Sequence, residues 1–458
     1  MKISSSKPPS SAILLLASGL WFLASSLNVF SAEPLPLSTS YWKDPYFLKS
    51  FNGSYRIEAR IEPSVSTGER GILVEVQKLM ADGKRDAALE KLKSSELTGK
   101  SPALTFNLGN LLFETGETET AIAAYSSALK AYPSFRRAHH NLALAHVREN
   151  ELEKALTHLT EAIRLGDSEG TTYGLLGYCR LARGEWASAL QSYRLAQITE
   201  PDVPEWKAGI AQCLQNLDAK AEAAALLDEV IRQRPDEASY SVLQANILLE
   251  LGQPDRATKA LELPFRLGKL DPSSSLLLAD LHLRADRKPA AMQAIGSAFS
   301  GKPRPSTQSI LRLIATASER SDWPLAKDLL EKADDDDSNP LKLARAKYLI
   351  ASAEDPTAGE ALLRQLTTED PTDGTALLAL ANHLAGTSRP DAAELIYERA
   401  TTDPGTAYEA RIGLARLHVS QSRYADALED IDAALALQPG EELQTYRSAL
   451  QNTISASE

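Results

Sequence analysis

Two cysteines in 458 residues leave no disulfide framework and no thiolate zinc cluster to build a small domain around. Positive charge is also short, with 49 Lys plus Arg against 61 Asp plus Glu and a formal charge of -12. A chain without a basic excess lacks the field that neutralises phosphates, so no nucleic-acid partner is expected. Aromatics make up only 6% of the chain, and the alternating pattern of strands is nearly absent. Beyond Ala12–Leu27 no stretch is apolar enough to cross a bilayer. What remains, 43% hydrophobic and 24% charged, is the composition of an ordinary folded chain, long enough for several domains or one extended array.

The N-terminus has its own character. Lys2 and Lys7 precede the apolar run Ala12–Leu27, and "VFSAEP" offers small residues at Ser31 and Ala32. Residues 1–32 therefore read as a secretory signal, which places the chain in the periplasm or cell envelope. Val29 or Phe30 at the third position before the cut departs from the small-residue rule, so an uncleaved anchor over residues 12–27 stays open as the alternative. No cysteine lies near enough to carry a lipid.

From residue 68 onward a 34-residue period governs the sequence. Ala121, Ala155, Ala189, Ala223, Ala257 and Ala291 hold one slot. Gly116, Asn150, Gly184, Asp218, Gly252 and Asp286 hold another, all residues that tolerate a left-handed backbone. Ala128, Ala162 and Ala196 mark a second small slot, and Pro133, Pro201, Pro235, Pro371, Pro404 and Pro439 close units. Apolar residues between these marks follow helical spacing, as in Leu104, Leu108, Leu111 and Leu112. Each unit thus predicts two short antiparallel helices with small residues at their closest approach, and such hairpins must stack to bury their apolar faces.

Tyr173, Leu176, Gly177, Ala189, Tyr193, Ala196 and Pro201 carry the pattern most fully, and Leu108, Gly109, Gly116, Ala121, Tyr125, Ala128 and Pro133 match comparably. On these residues the chain resembles tetratricopeptide repeat (TPR) proteins of the exported bacterial type. The resemblance implies an all-α fold, a TPR α-solenoid wound as a right-handed superhelix of about eleven helix-turn-helix units. Residues 33–67 form an extended arm, 68–101 a divergent first repeat, 102–305 six units, 306–372 degenerate repeats, 373–440 two further units, and 441–458 a capping helix and tail. Pro264 falls in a small-residue slot and "GKPRPS" follows at Gly301–Ser306, so a kink or an absorbed loop is expected there.

Sites for chemistry are few. "GDSEG" at Gly166–Gly170 fits the serine-hydrolase pattern but falls in a turn between repeats, without the strand-to-helix elbow the chemistry needs. "TGKS" at Thr98–Ser101 has Ser94 where a phosphate loop requires glycine. His139, His140 and His146 share one helix, but no thiolate or well-placed carboxylate completes a four-ligand zinc set, and His139 and His146 sit in aromatic packing slots. Asp334–Asp337 lacks the spaced oxygens of a calcium loop. Cys179 and Cys213 occupy one slot of neighbouring first helices, about 8–10 Å apart between axes, too far for a disulfide. The expectation is no catalytic residue, no metal, no cofactor, no small-molecule substrate and two buried thiols.

The resemblance implies a concave groove lined by the first helix of each unit. Transferred to this chain, the slots hold Phe106, Asn110, Phe113, His140, Asn141, Leu144, Leu175, Tyr178, Leu181, Gln212 and Asn246. Asn110 and Asn141 match the asparagines of a chaperone-tail clamp, but Phe106, Thr171 and Leu175 stand where its cations belong, which excludes that ligand. The arm concentrates six aromatics, Tyr41, Trp42, Tyr46, Phe47, Phe51 and Tyr55, in fifteen residues, a load that calls for burial against the groove or a partner. "SFNGSYRIEARIEP" is similar to the N-terminal region of TPR proteins accompanying TonB-type complexes, and "RIEARIEP" has the alternation of an edge strand. The reading is a non-enzymatic envelope scaffold binding a partner peptide or helix, with a polysaccharide- or peptidoglycan-handling accessory subunit as the alternative.

Overall fold

The computed structural model describes residues 62–333 and 337–457. Among the described residues there are 23 α-helices and no strand. They pair as hairpins: α1 (Thr67–Ala81) with α2 (Arg85–Lys93), α3 (Pro102–Thr115) with α4 (Thr118–Ala131), and α5 (Arg136–Arg148) with α6 (Leu152–Arg164). Next come α7 (Gly170–Ala182) with α8 (Trp186–Thr199), α9 (Pro204–Asn216) with α10 (Lys220–Gln233), and α11 (Ala238–Glu250) with α12 (Pro254–Arg266). One compact unit ends at Leu270 and another begins at Asp271. The latter holds α13 (Pro272–Arg284) with α14 (Lys288–Ser300), α15 (Thr307–Glu319) with α16 (Trp323–Lys332), and α17 (Asn339–Ala351) with α18 (Pro356–Glu369). It closes with α19 (Gly374–Gly386) and α20 (Pro390–Ala400), α21 (Ala407–Ser420) and α22 (Tyr424–Leu437), then α23 (Glu441–Ser457) packed on α22. Each unit is an all-α solenoid in which a hairpin touches its sequence neighbours.

Hairpin turns share one hydrogen-bond scheme. Gly116 adopts φ 88°, its N–H bonds to Phe113 O at 3.2 Å, and the Glu117 N–H reaches back to Leu112 O at 2.9 Å. This pair of bonds satisfies the orphan carbonyls at a helix end, and it needs a left-handed residue at the turn. Asn150, Gly184, Asp218, Gly252 and Asp286 all take positive φ as their residue types predict. Ser321, Ala353, Ser388 and Ser422 do the same without that signal.

Packing follows the small slots. Ala121, Ala155, Ala189, Ala223, Ala257, Ala291, Ala326, Ala393 and Ala427 have no exposed surface. In α18 the slot holds Gly359, where a Cβ would meet Ile350 Cγ1 at 2.7 Å, so the weakest repeat in sequence, 342–372, still folds as a tight hairpin. A second close approach sits one helix turn away. A Cβ at Gly109 would fall 2.6 Å from the buried Tyr125 ring, and one at Gly177 would fall 2.9 Å from Tyr193. Gly209 and Gly413 are as tightly covered by Tyr193 and Tyr397.

Helix α12 runs through the buried Pro264 and ends two residues later. Proline in a last turn forfeits one intrahelical bond. The signal segment, the arm residues Tyr41 to Tyr55, most of "RIEARIEP" and Asp334 to Asp336 lie outside the described residues. Among the described residues no helix is long and apolar enough to cross a membrane.

Gly109→Ala should destabilise the chain by about 1–3 kcal/mol, the usual cost of overpacking. Gly296→Ala, exposed in α14 with nothing within 4 Å of the new Cβ, should stabilise it by about 1 kcal/mol through helix propensity. Guanidinium unfolding of both variants checks the pair, and equal effects would contradict the close-contact account.

Candidate functional site

The first helices of successive hairpins carry the expected groove residues at equivalent positions, with Asn110, Leu144, Tyr178, Gln212 and Asn246 each at the ninth residue of its helix. The structure buries most of the set. Phe106, Asn110, Phe113, Asn141, Leu144, Leu175, Leu181 and Gln212 are buried, while His140, Tyr178 and Asn246 are partly exposed. Packing explains several of these placements. Phe106 on α3 lies 4.7 Å from Phe135 and 5.8 Å from Tyr125 between ring centroids, and the Arg137 guanidinium stands 5.5 Å from its ring. Arg148 covers Phe113 in the same way at 5.1 Å.

The two asparagines meet. Asn110 Oδ1 accepts from Tyr125 Oη at 2.9 Å and from Asn141 Nδ2 at 2.7 Å, which ties α3 to both α4 and α5. Asn382 accepts from Tyr397 Oη at 2.6 Å with the same fifteen-residue offset, so this asparagine slot orients a core tyrosine wherever both occur. Part of what the groove slots encode is therefore hairpin registry.

The histidines divide into two clusters. His139 and His146 pack against His158 on α6: His139 Nδ1 lies 3.0 Å from His158 Nδ1, and the His146 and His158 rings stack at 5.7 Å. Burial, with His139 and His146 close by, pushes His158 down to about 4. His140 faces the next hairpin instead. Its Nδ1 lies 3.1 Å from Asp167 Oδ2 and 2.7 Å from Thr172 Oγ1, and Thr172 donates to the same carboxylate at 2.9 Å. Burial favours the neutral ring, but the hydrogen bond to Asp167 and the charges of Asp167, Glu169 and Glu200 outweigh it and hold His140 at about 9. Burial likewise opposes ionisation of Asp167, yet His140 and Thr172 hold it down at about 2.

His140, Asp167 and Glu169 place their donor atoms within 4.8 Å of one another, the one such group among the described residues. One nitrogen and two carboxylates, with the nitrogen already committed to Asp167 and Thr172, fall short of a four-ligand zinc set. The cluster works as a buried ion pair joining α5 to the turn before α7. Asp167 belongs to "GDSEG", which draws the eye to Ser168; the structure leaves Ser168 exposed in an inter-hairpin turn and uses its neighbour. Thr98–Lys100 is a single 3-10 turn with no strand before it. Sequence patterns also give no sign of Glu200, which accepts from Trp206 Nε1 at 3.2 Å and is raised by burial.

Cys179 and Cys213 are free and buried, as their spacing predicts, and burial pushes both thiols up to about 12. The native chain at mildly alkaline pH should leave both unreacted with iodoacetamide, and both should label in guanidinium; rapid native labelling of either would contradict this. The His140–Asp167 pair sets a pH window. Because the folded histidine lies above its ordinary 6.5, its contribution is whole below that value and lost as pH rises through about 9. The carboxylate contribution is present above 3.8 and lost as pH falls through about 2. The stability gap between the parent and Asp167→Asn should therefore be widest in mildly acidic solution and narrow beyond about pH 9, read from unfolding curves at several pH values.

Comparison with known proteins agrees with this architecture. One family model described as tetratricopeptide repeat matches residues 73–134, 106–170, 140–204, 242–300, 343–407 and 405–442, and a second with the same description matches 180–247. No curated protein matches the sequence. Among solved structures, a tetratricopeptide repeat protein from Parabacteroides merdae is 18% identical, with 54% of this chain and 98% of that one covered and a TM-score of 0.41. Yeast Tom70 is 13% identical over 84% of this chain and 96% of that one, with a TM-score of 0.46. YrrB, a TPR protein with an unusual peptide-binding site, is 22% identical over 46% and 96%, with a TM-score of 0.33. The family models cover well over half of the sequence, and the chain belongs to the tetratricopeptide repeat family.

Proposed function

We propose that this chain is a non-enzymatic scaffold of the cell envelope that holds a peptide or helix of a partner protein on the face formed by the first helices of its hairpins. Membership of the TPR family supports a protein–protein interaction scaffold. One observation carries the finer reading: the first helices of the N-terminal unit place equivalent positions in register, and His140, Tyr178 and Asn246 stay partly exposed there, Tyr178 and Asn246 at the same ninth position of their helices. Such rows suit an extended or helical ligand, whose affinity comes from a few aromatic anchors. The envelope location is supported by the signal-like residues 1–32, and the likeness of Ser50–Pro63 to TPR proteins found with TonB-type complexes suggests where to look first. The glycan alternative has less support, since it needs a run of exposed aromatics and the aromatics Phe106 and Phe113 are buried.

A photoreactive residue at Tyr178 or Asn246, in cells that make the protein, should trap one and the same partner. Ile198, 78% exposed on the second helix α8, serves as the control and should not trap it. Trapping from Ile198 alone, or an identical product from all three positions, would overturn the assignment of this face.

A further inference from the structure

In the last three hairpins charge is sorted by helix. The second helices α18, α20 and α22 carry nine acidic and two basic residues. The first helices α17, α19 and α21 reverse this, with Lys342, Arg345, Lys347, Arg411 and Arg416 against Glu409 alone. Asp337 pairs with Lys342 and Asp430 with Arg411. Lys347 and Arg416 have no carboxylate partner among the described residues. Both hold one slot of the repeat. Lys347, Asn382 and Arg416 directly follow the buried Ala346, Ala381 and Ala415, as Asn246 follows the buried Ala245. Four residues earlier, and so on the same side of each helix, stand the partly exposed Leu343, Leu378 and Ile412. Because α17 touches α19 and α19 touches α21, the three polar groups form a row.

Every member of the row is a donor in want of an acceptor. Lys347 is exposed, yet the protein around it withholds enough water to push its pKa below the ordinary value, as befits an ammonium walled in by its neighbours. The charge of Asp373 reaches it, but Asp373 Oδ1 is taken by the Thr375 and Ala376 N–H groups at the start of α19. Asn382 accepts from Tyr397 through Oδ1 and leaves its amide N–H groups unbonded among the described residues. Arg416 is partly exposed, while its Nε and Nη2 are buried without an acceptor. An unmet guanidinium N–H is unfavourable, and an arriving carboxylate offsets it with a charge-assisted bond. We propose that α17, α19 and α21 bind an acidic peptide in polyproline-II conformation, its carboxylates three residues apart on Lys347, Asn382 and Arg416 and its aliphatic side chains against Leu343, Leu378 and Ile412. The spacing follows from geometry: such a peptide turns once in three residues, about 9 Å, and neighbouring helices pack about 8–10 Å apart. A basic face on a chain of net charge -12 also gathers an acidic ligand selectively. The inference rests on the first helices being the binding face, as proposed above, and adds the ligand's charge and spacing in the C-terminal unit.

The test titrates the purified full chain into a short fluorescein-labelled peptide of repeated Glu-Pro-Leu and reads anisotropy. Saturable binding is expected, about tenfold tighter than for repeated Gln-Pro-Leu. Lys347→Glu should weaken it by about tenfold, whereas Lys259→Glu, an equal charge change at an exposed site on α12, should leave it unchanged. Lys347→Glu with Arg416→Glu should abolish it and gain affinity for repeated Lys-Pro-Leu while keeping the parent circular dichroism. Should the double variant misfold, Lys347→Glu decides alone, since its exposed side chain changes without repacking. No binding by the parent, equal affinity for the Glu and Gln peptides, an equal loss in Lys259→Glu, or self-association of the chain that Lys347→Glu dissolves would overturn the proposal. If the first helices are no binding face at all, this titration and trapping at Tyr178 both fail; if the charge assignment alone is wrong, this one fails by itself.

Discussion

A tyrosine ring lying against the bare backbone of a neighbouring helix sets the spacing on which the stack depends. Tyr125 over Gly109, Tyr193 between Gly177 and Gly209, and Tyr397 over Gly413 leave no volume for a methyl group. Close-packed interiors transmit such contacts rather than absorb them, so the glycine fixes how near the helices come and the ring fixes their relative rotation. The hydroxyl then needs a partner, which Asn110 and Asn382 supply. Once two helices are held this way, the alanine slots fall at the next crossing and can be nothing larger.

Much of this was legible because it repeats. Six turn residues chosen by type all adopt positive φ, since glycine, asparagine and aspartate are the residues that tolerate it. Ser321, Ala353, Ser388 and Ser422 were silent because ordinary residues enter that conformation only when the flanking helices demand it, as the bond from Asp322 N–H to Ala317 O shows. Groove positions could be transferred from the family resemblance, but not their burial. The side chains that cover Phe106 come from Phe135 and Arg137, positions that the 34-residue pattern leaves unmarked, so their contribution appears only in three dimensions. The His140–Asp167 pair was hidden for a similar reason: its members are 27 residues apart on elements whose contact depends on stacking.

Charge plays a secondary, periodic part. Glu360 binds His383 and Arg389, and one repeat later Glu394 binds His418 and Arg423. Lys288–Asp322 and Arg320–Asp286 bridge neighbouring hairpins with spacings of one period. Exposed pairs of this kind contribute little singly, about 0–1 kcal/mol, but each one penalises a slipped register. Asp430 goes further, taking both Arg411 and His418 in a buried site.

Within each unit every helix touches only its near neighbours along the chain, and each turn closes with its own local bonds. Among the described helices such a stack is held by neighbour-to-neighbour contacts. Pulled from one end, it would peel a hairpin at a time, each step breaking one repeat interface and leaving the remainder intact, so the molecule would behave as an extensible tether whose force plateaus are set by those interfaces, highest where Tyr125, Tyr193 and Tyr397 interlock with glycines. A scaffold that must stay attached while its surroundings move gains from a fold that gives way in increments and reseals from the template of the next hairpin.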